Sequence, residues 1–401
     1  MFQASSSNGC ETALAALAAT LAPVAVLAPK GVVPLLILAS LAAAWTAWHR
    51  AGWRPHAAAA GTWLLLAFAG LALAGAVWSP QPGAALRKAA ELVALIALGG
   101  LLRDLAADLA PPARRRVAAA LMAGLGLAAA LMLLELASDH VLYRTATGRL
   151  GDALPALDSR LNRGATTLAL LGGPVIAWLL AEGRRGQAAA LGAAVLAAIL
   201  AGASLAALLA LGAAAALGLL AGPRPGAAAA VLALGGVSAA ALPWLAGGLE
   251  TLGQLVPELP ESARHRLYIW DFVAARILES PWVGHGFDSS GLIPNHGVVP
   301  FHPDADRVIP SHPHSAALQL WLELGVPGIA LGLAVLAVAA RRVLARPPLA
   351  RAGAAAALAA ALVVALLSYG VWQSQWIATL LAVAAMVTVC CPAAAARESG
   401  G

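Results

Sequence analysis

Histidines are concentrated in one part of this chain. Six of the nine lie between residues 264 and 328, and two stand in Ser311-His312-Pro313-His314, just before a long apolar segment. Ser311 or His312 can cap the predicted helix and Pro313 suits its first turn, which puts His314 at the positive end of the helix dipole. An imidazole kept neutral there can accept a proton. We therefore predict that His314 is a general base; the alternative is that both histidines only cap the helix or lie among lipid headgroups.

Arginines open the same stretch. Arg264 and Arg266 precede residues 267–278, whose apolar positions follow helical spacing. The planar guanidinium group binds phosphate through two parallel donors and stays charged. We predict an amphipathic helix on the membrane, with Trp270 and Phe272 anchored in lipid and the two arginines near a phosphate. The alternative is that these arginines contact lipid headgroups.

Two other arrangements invite a metal interpretation. Asp304 and Asp306 are one residue apart and could hold a divalent ion, but the flanking Pro303 and Pro310 favour a solvated turn. The six histidines show none of the spacings typical of zinc sites. We predict no metal and no cofactor.

The rest of the chain must hold this polar segment, and it is strongly apolar. Hydrophobic residues make up 61% of the 401 residues and charged residues 11%, and the mean hydropathy is +0.82. This composition predicts an all-α polytopic membrane protein, because long apolar runs must satisfy their backbone groups internally in lipid. The basic residues lie at segment ends rather than on one face, so the charge of +6 does not indicate nucleic acid.

About twelve apolar segments are predicted to span the membrane: 12–28, 31–48, 57–78, 86–102, 117–137, 164–181, 187–201, 205–221, 227–248, 315–340, 352–370 and 375–391. Residues 187–221 are the weakest assignment, and we favour two short helices that break near Ala203. Trp45, Trp48, Trp78, Trp244, Trp372 and Trp376 lie near span ends, where indoles suit the headgroup layer.

The basic residues of alternate connections predict the orientation. With a cytoplasmic N-terminus they follow the positive-inside pattern, which places residues 249–313 outside as one long loop. The chain then divides into residues 1–248 with nine spans, the outer loop 249–313 with its amphipathic helix, and residues 314–401 with three spans and a cytoplasmic tail.

Charged residues inside membrane spans usually have a function. The candidates here are few: Arg87, Lys88, Glu91, Glu135, Arg163 and Glu323. Nearly all are predicted within a turn or two of the outer surface, whereas ion transporters bury such groups near the membrane midplane. This favours a site at the outer interface, and it leaves open a carrier or flippase for a lipid-linked substrate.

Three motifs between residues 264 and 328 resemble the signature of the bacterial O-antigen ligase and O-antigen polymerase superfamily. They are Arg266-x-x-x-Trp270, Pro281-x-x-Gly284-x-Gly286, and His312-x-His314-Ser315 running into Gln319 and Glu323-Leu324-Gly325. The family form is an Arg-led helix ending at Trp, a Pro-x-x-Gly-x-Gly turn, and His-x-His-Asn followed by Leu-Gln and Glu-Leu-Gly. Of the two activities, the resemblance favours the ligase.

This resemblance implies a GT-C-like glycosyltransferase of the bacterial inner membrane, with a periplasmic active site. The implied reaction moves a glycan from undecaprenyl pyrophosphate to a hydroxyl of a lipid A core sugar, without metal or nucleotide. The implied base is His314, and the implied pyrophosphate ligands are Arg266 and Arg163. Further substrate contacts are expected from Arg264, Arg87, Lys88 and His312, and support from Gln319, Glu323 and Trp270. We expect a monomer that contacts membrane lipids and binds no nucleic acid.

The sequence departs from the family pattern at two places. Ser315 stands where Asn is usual, which exchanges one short polar group for another. Leu205 stands where members often carry an Arg, so one phosphate-binding group is missing from its usual place. Arg163 is the predicted replacement, with Arg87, Lys88 and Arg264 in reserve.

Overall fold

The computed structural model describes residues 2–49, 60–149, 157–249, 251, 255–256, 258–294, 308–309 and 311–393. Within these ranges the chain forms fourteen α-helices and no strand. In chain order they are α1 (Phe2–Leu27), α2 (Val32–Trp48), α3 (Ala60–Gly75), α4 (Pro82–Ala107), α5 (Pro111–Ala137), α6 (Val141–Thr147), α7 (Asn162–Ala181), α8 (Arg185–Ala201), α9 (Leu205–Ala221), α10 (Pro225–Leu245), α11 (Glu261–Glu279), α12 (Ala316–Leu344), α13 (Pro348–Leu367) and α14 (Ser374–Cys390).

Prolines start several of these helices. Pro82, Pro111, Pro225 and Pro348 each occupy the first turn, where a missing N–H costs nothing because that donor has no partner inside the helix. These prolines belong to the Pro-containing breaks that separate the apolar segments in the sequence. The breaks therefore mark helix starts as well as connections.

The expectation of an all-α polytopic membrane protein is confirmed at this level. In the described residues, seven helical stretches are long and apolar enough to cross a membrane, and four shorter apolar helices accompany them. Each of the twelve predicted segments coincides with a helix of the structure. One of these helices is α4, which is not among the apolar stretches just counted because it contains several charged residues. The figure of twelve crossings stays a prediction.

The predicted break in residues 187–221 is present. Helix α8 ends at Ala201 and α9 begins at Leu205, with Ala203 between them in the left-handed region at φ 48°. Three residues suffice to end one helix and start the next. The prediction of two helices is confirmed.

Small residues let the helices approach closely. A methyl group added at Gly124 of α5 would lie 2.5 Å from the backbone oxygen of Ala19 in α1, and one added at Gly218 of α9 would lie 3.1 Å from that of Ala352 in α13. Close backbone contact is a usual means of helix association in a membrane. Moving an apolar side chain from lipid into a helix interface gives little hydrophobic stabilisation, because the lipid tails are equally apolar.

Helix α12 is broken at Gly325, which has φ 61° and ψ −150°. Backbone groups left without helical partners at this break form hydrogen bonds with the chain before α12. The Val326 N–H donates to the Pro281 carbonyl, and the Leu322 carbonyl accepts from the His285 N–H. A side chain at Gly325 would meet the Trp282 carbonyl carbon at 2.6 Å. The Pro-x-x-Gly-x-Gly turn is therefore packed directly against the break in the helix.

The predicted amphipathic helix is present as α11, but its apolar face packs on protein. Ile269, Val273 and Ile277 are buried in a cluster with Leu318 and Trp321 of α12. The lipid anchor predicted from Trp270 is wrong, because its indole N–H donates to the Pro313 carbonyl at 2.9 Å.

The tryptophans predicted for the headgroup layer fall into two groups. Those that are largely exposed are Trp45, Trp48, Trp78 and Trp244. Trp372 and Trp376 are buried, at 4% and 3% exposure, so the headgroup assignment is wrong for this pair. The Trp372 ring packs against Phe68 and Phe287, and the Trp376 ring packs against Tyr369.

Candidate functional site

The site lies where α12 and α14 begin and α13 ends, at one end of the bundle. Helix α12 starts at Ala316 with Ser315 at the N-cap position. The expected cap by Ser311 or His312, with Pro313 in the first turn, is therefore wrong. The reason is that neighbouring groups hold the segment: Trp270 binds the Pro313 carbonyl, and the His314 N–H donates to His312 Nδ1 at 3.1 Å.

His314 has the hydrogen bond that a general base requires. Its Nδ1 lies 2.8 Å from the carbonyl oxygen of Ser368, an atom that can only accept. In the neutral ring Nδ1 must carry the proton, and Nε2 keeps its lone pair. His314 is also a non-glycine residue in the left-handed region, at φ 55°. Strained backbone of this kind is common at functional sites.

The pKa of His314 is lowered from its usual value, as predicted, but the main cause differs. Burial disfavours the imidazolium most, and the positive charge of Arg266 lowers the pKa further, against the opposing hydrogen bond to Ser368. Protonation is disfavoured chiefly because the ring is removed from water. His314 is accordingly neutral near pH 7.

His312 is buried, and both its ring nitrogens are engaged within the protein. Nδ1 accepts the His314 N–H, and Nε2 lies 2.9 Å from the side-chain amide of Gln373. Burial, His314 and Arg266 lower the pKa of His312 to about 3. The ring packs so closely on Gly370 that a methyl group there would lie 2.8 Å from it. Both ring nitrogens of His312 are therefore engaged within the protein, and neither is free for the predicted contact with the substrate.

Glu323 is fully buried and accepts hydrogen bonds from three segments of chain. Its Oε2 accepts from the Asp288 N–H and the Trp372 indole, both at 2.6 Å. Its Oε1 accepts from the Ser290 hydroxyl at 2.5 Å, the Ser290 N–H at 3.3 Å and the Gln319 amide at 2.9 Å. This carboxyl group joins residues 288–290, α12 and the α13–α14 connection into one unit.

The connection between α13 and α14, residues 368–373, was missed as part of the site. Its hydrogen bonds to the site are Ser368 O with His314, Val371 N–H with Gln319, Trp372 with Glu323, and Gln373 with His312. Its one sequence signal is the polar and aromatic run Ser-Tyr-Gly-Val-Trp-Gln between two Ala-rich helices.

The predicted phosphate-binding residues are distributed around this centre. Arg266 is half-buried, and its charge acts on both His312 and His314. Burial lowers the pKa of Arg266 from its usual value. Arg264, two residues earlier on α11, is also half-buried. Both arginines therefore lie on α11, and the charge of Arg266 is the one that reaches the imidazole pair.

Three further cations lie on other helices. Arg163, the second residue of α7, lines a small cleft with Tyr369, the residue after Ser368. Lys88 binds Glu91 at 3.1 Å and the Ser374 hydroxyl at 2.8 Å, so it is already paired. Arg87 is exposed. Of these three, the cleft gives Arg163 the clearest connection to the chain segment that holds His314.

Some predicted groups lie outside the described residues, namely His296, His302, Asp304 and Asp306. Within the part of the chain that the structure describes, no group of three His, Cys, Asp or Glu side chains comes together as a candidate metal site. His285, another member of the histidine-rich stretch, has its Nε2 2.9 Å from the Arg276 carbonyl.

Comparison with known proteins agrees with the signature in the sequence. Residues 187–333 match the family model described as O-antigen ligase. A protein of Rickettsia prowazekii named "Putative polysaccharide ligase" is 32% identical over 119 residues, which is 29% of this chain and 29% of that protein. Proteins of the same name in Rickettsia typhi and Rickettsia bellii are 32% identical over 119 and 121 residues. The chain thus aligns with less than a third of the length of these relatives.

The helices and the site at their common end are those of a polytopic membrane protein with two neighbouring imidazoles, His312 buried and His314 half-buried, on which the charge of Arg266 acts. Within residues 187–333 the chain is similar to the O-antigen ligase family. The matched range contains Arg266, His314 and Glu323, whereas Arg163 and residues 368–373 lie outside it.

Proposed function

We propose that this protein is an O-antigen ligase. It transfers a glycan from undecaprenyl pyrophosphate to a hydroxyl of a lipid A core sugar, on the periplasmic face of the bacterial inner membrane. The observation that carries the proposal is the hydrogen bond from His314 Nδ1 to the Ser368 carbonyl, since it leaves Nε2 unprotonated and available as a base.

The reaction is a direct displacement. As the acceptor hydroxyl oxygen bonds to the anomeric carbon, His314 Nε2 takes its proton and the bond from that carbon to the phosphate oxygen breaks. The pyrophosphate leaves on its lipid with the bonding electrons. Attack opposite the leaving group inverts the configuration at that carbon.

The leaving group gains negative charge as the bond breaks, and positive groups fixed in place stabilise it. Arg266 supplies this charge beside the imidazole pair, and Arg163 is proposed as the second phosphate ligand in place of the Arg absent at Leu205. Arg264, Arg87 and Lys88 add to the positive field. No nucleotide or metal is required, because pyrophosphate is a good leaving group once its charge is neutralised.

His314→Ala tests the proposal. Purified protein in detergent is given an undecaprenyl-pyrophosphate-linked glycan and lipid A core, with EDTA present, and capped core is measured by gel mobility. We expect loss of capping by about 10²–10⁴-fold, the usual contribution of a general base. Normal capping by His314→Ala protein would overturn the base assignment.

The matched control is His49→Ala. His49 is exposed at the end of α2, where it packs against Trp45, and it should tolerate the change with full activity. Longer glycan on the lipid carrier without capped core would instead identify a polymerase. Movement of the lipid-linked glycan across the membrane of reconstituted vesicles, without glycosyl transfer, would identify a carrier or flippase.

A further inference from the structure

We propose that the end of the bundle opposite the candidate functional site binds an anionic phospholipid, with its acyl chain in an apolar pocket and its phosphate against arginines. The pocket lies between the end of α7, the start of α13 and the end of α14. Helices α7 and α14 begin near the functional site and α13 ends there, so the pocket is at the far end of all three. This binding site is separate from the proposed reaction and does not depend on it.

The pocket has a volume of about 480 Å³ and an apolar lining. Its walls are Ala177 and Ala181 of α7, residues 347–350, and Cys390 and Pro392 beside α14. Ala181 and residues 347–349 are exposed, so the pocket opens at the surface of the bundle. Its volume is within the range of pockets that hold small molecules, and an apolar cavity does not retain water. The ligand that fits these walls is therefore an apolar chain.

The floor of the pocket is closed by close contact between the three helices. A methyl group added at Gly353, one turn further into α13, would lie 2.6 Å from Cβ of Ala177 and 2.9 Å from Sγ of Cys391. Pro347 precedes α13 and Pro392 follows α14, at positions typical of helix ends. The pocket is thus the space between helix ends, above the level at which the helices touch.

Arginines flank the wall that the start of α13 contributes. Arg346 comes directly before residues 347–350, and Arg351 comes directly after them. The Nε–H of each guanidinium group is buried and has no hydrogen-bond partner among the described residues. Arg351 reaches the Leu344 carbonyl only at 3.5 Å, and this contact turns its guanidinium group back towards the residues before the pocket. Both arginines therefore have donors in reserve beside the opening.

The charge of Arg346 lacks a carboxylate partner. Burial lowers the pKa of Arg346 most, the thiol of Cys391 opposes this effect, and Arg342 lowers the pKa further. Asp104 also acts on Arg342, but its carboxylate already accepts from Arg103 at 2.6 Å. A half-buried guanidinium group without a counter-ion is unfavourable. A phosphate would supply the negative charge and the acceptor oxygens together.

A phospholipid combines the apolar chain and the phosphate that the two parts of the site require. Basic pockets between membrane helices are places where anionic lipid headgroups bind. A free phosphate ion would leave the apolar pocket unused. A zwitterionic lipid carries a cation as well, which Arg346 and Arg351 repel. The ligand is therefore a lipid with a net negative charge, and phosphatidylglycerol is the probe for it.

Native mass spectrometry of the full-length protein in detergent measures the binding of phosphatidylglycerol and of phosphatidylcholine with the same acyl chains. Arg346→Gln combined with Arg351→Gln removes the two charges. Ala181→Phe places a ring in the pocket without changing the charge. The matched controls are Arg341→Gln, exposed in the last turn of α12, and Ala189→Phe, exposed in α8.

We expect the parent and both controls to prefer phosphatidylglycerol by about 25-fold, because each of two arginines at a lipid surface contributes about fivefold. The double glutamine variant should lose this preference. Ala181→Phe should weaken the binding of both lipids about tenfold, the effect of excluding roughly two methylene groups from the pocket. Arg346→Lys combined with Arg351→Lys keeps the charge and should keep the preference.

Equal binding of the two lipids by the parent would overturn the inference, and so would an equal loss of preference in Arg341→Gln. Unchanged binding in Ala181→Phe would overturn it as well, since the acyl chain would then lie outside the pocket. If the parent binds no phosphatidylglycerol, detergent or the chain's own residues 394–401 fill the pocket and the inference fails. If the glutamine variant does not fold, the lysine variant and Ala181→Phe still decide between these results.

Discussion

The carboxyl group of Glu323 should contribute strongly to stability through its five hydrogen bonds, and Glu323→Gln tests this with almost no change of shape. The substitution replaces one acceptor oxygen by a donor NH₂ group. If that group takes the place of Oε2, it faces the N–H of Asp288 and the indole N–H of Trp372, both 2.6 Å away. If it takes the place of Oε1, it faces Ser290 and the Gln319 amide, which cannot reverse without losing the Val371 N–H.

At least two buried donors lose their acceptor in either orientation. Leaving a buried donor unsatisfied costs about 1–3 kcal/mol, so the expected loss in free energy of unfolding is about 2–6 kcal/mol. Glu279→Gln is the control, since its carboxylate forms a surface pair with Arg276 at 2.8 Å. Such exposed pairs contribute about 0–1 kcal/mol.

The measurement is unfolding of purified protein in mixed micelles by titration with SDS, followed by tryptophan fluorescence. A second readout is the proteolytic sensitivity of residues 280–294, which Glu323 holds against α12. If Glu323→Gln were as stable as the parent to within about 0.5 kcal/mol, the five hydrogen bonds would not hold the three segments together.

Two further predictions concern the base and the break in α12. Arg266→Gln removes the positive charge that lowers the pKa of His314, so that pKa should rise and the acid limb of the pH–rate profile should move to higher pH. An unmoved or lowered limb would contradict this. Gly325→Ala places a methyl group 2.6 Å from the Trp282 carbonyl carbon, at φ 61°, and should destabilise the protein by about 1–3 kcal/mol. The control is Gly126→Ala in α5, where a methyl group would meet no other atom within 4 Å, and it should be neutral or stabilising by up to about 1 kcal/mol. Equal midpoints of SDS unfolding for these two variants would contradict the close packing of Gly325 on Trp282.

The helices could be predicted because apolar composition in lipid leaves few alternatives. Each break that contains proline or glycine ended one predicted segment, and even the short separation around Ala203 was recognised. The break at Gly325 was not, because Glu-Leu-Gly-Val-Pro lies within an otherwise continuous apolar run. What interrupts the helix is the turn at residues 281–287, and its contact with α12 depends on tertiary structure.

The site was predicted only in part, for the same reason. His314, Arg266 and Glu323 were found from residue type and spacing, because histidine and charged residues are rare in this chain. Residues 368–373 were missed, since they read as a short connection between two spans. Trp372 was assigned to the headgroup layer because a Trp at a span end usually lies there. Only the fold brings this segment to residues that are about 50 positions earlier.

Helix α12 depends on the preceding turn for hydrogen bonds at its break, and this dependence limits which segments can be exchanged between homologues. The Val326 N–H and the Leu322 carbonyl find their partners in residues 281–287, so neither segment is complete alone. A chimera that takes α12 from a homologue but keeps the native turn would leave these polar backbone groups without their partners. Recombination between homologues should therefore succeed only where the crossover points enclose residues 281–327 as one cassette.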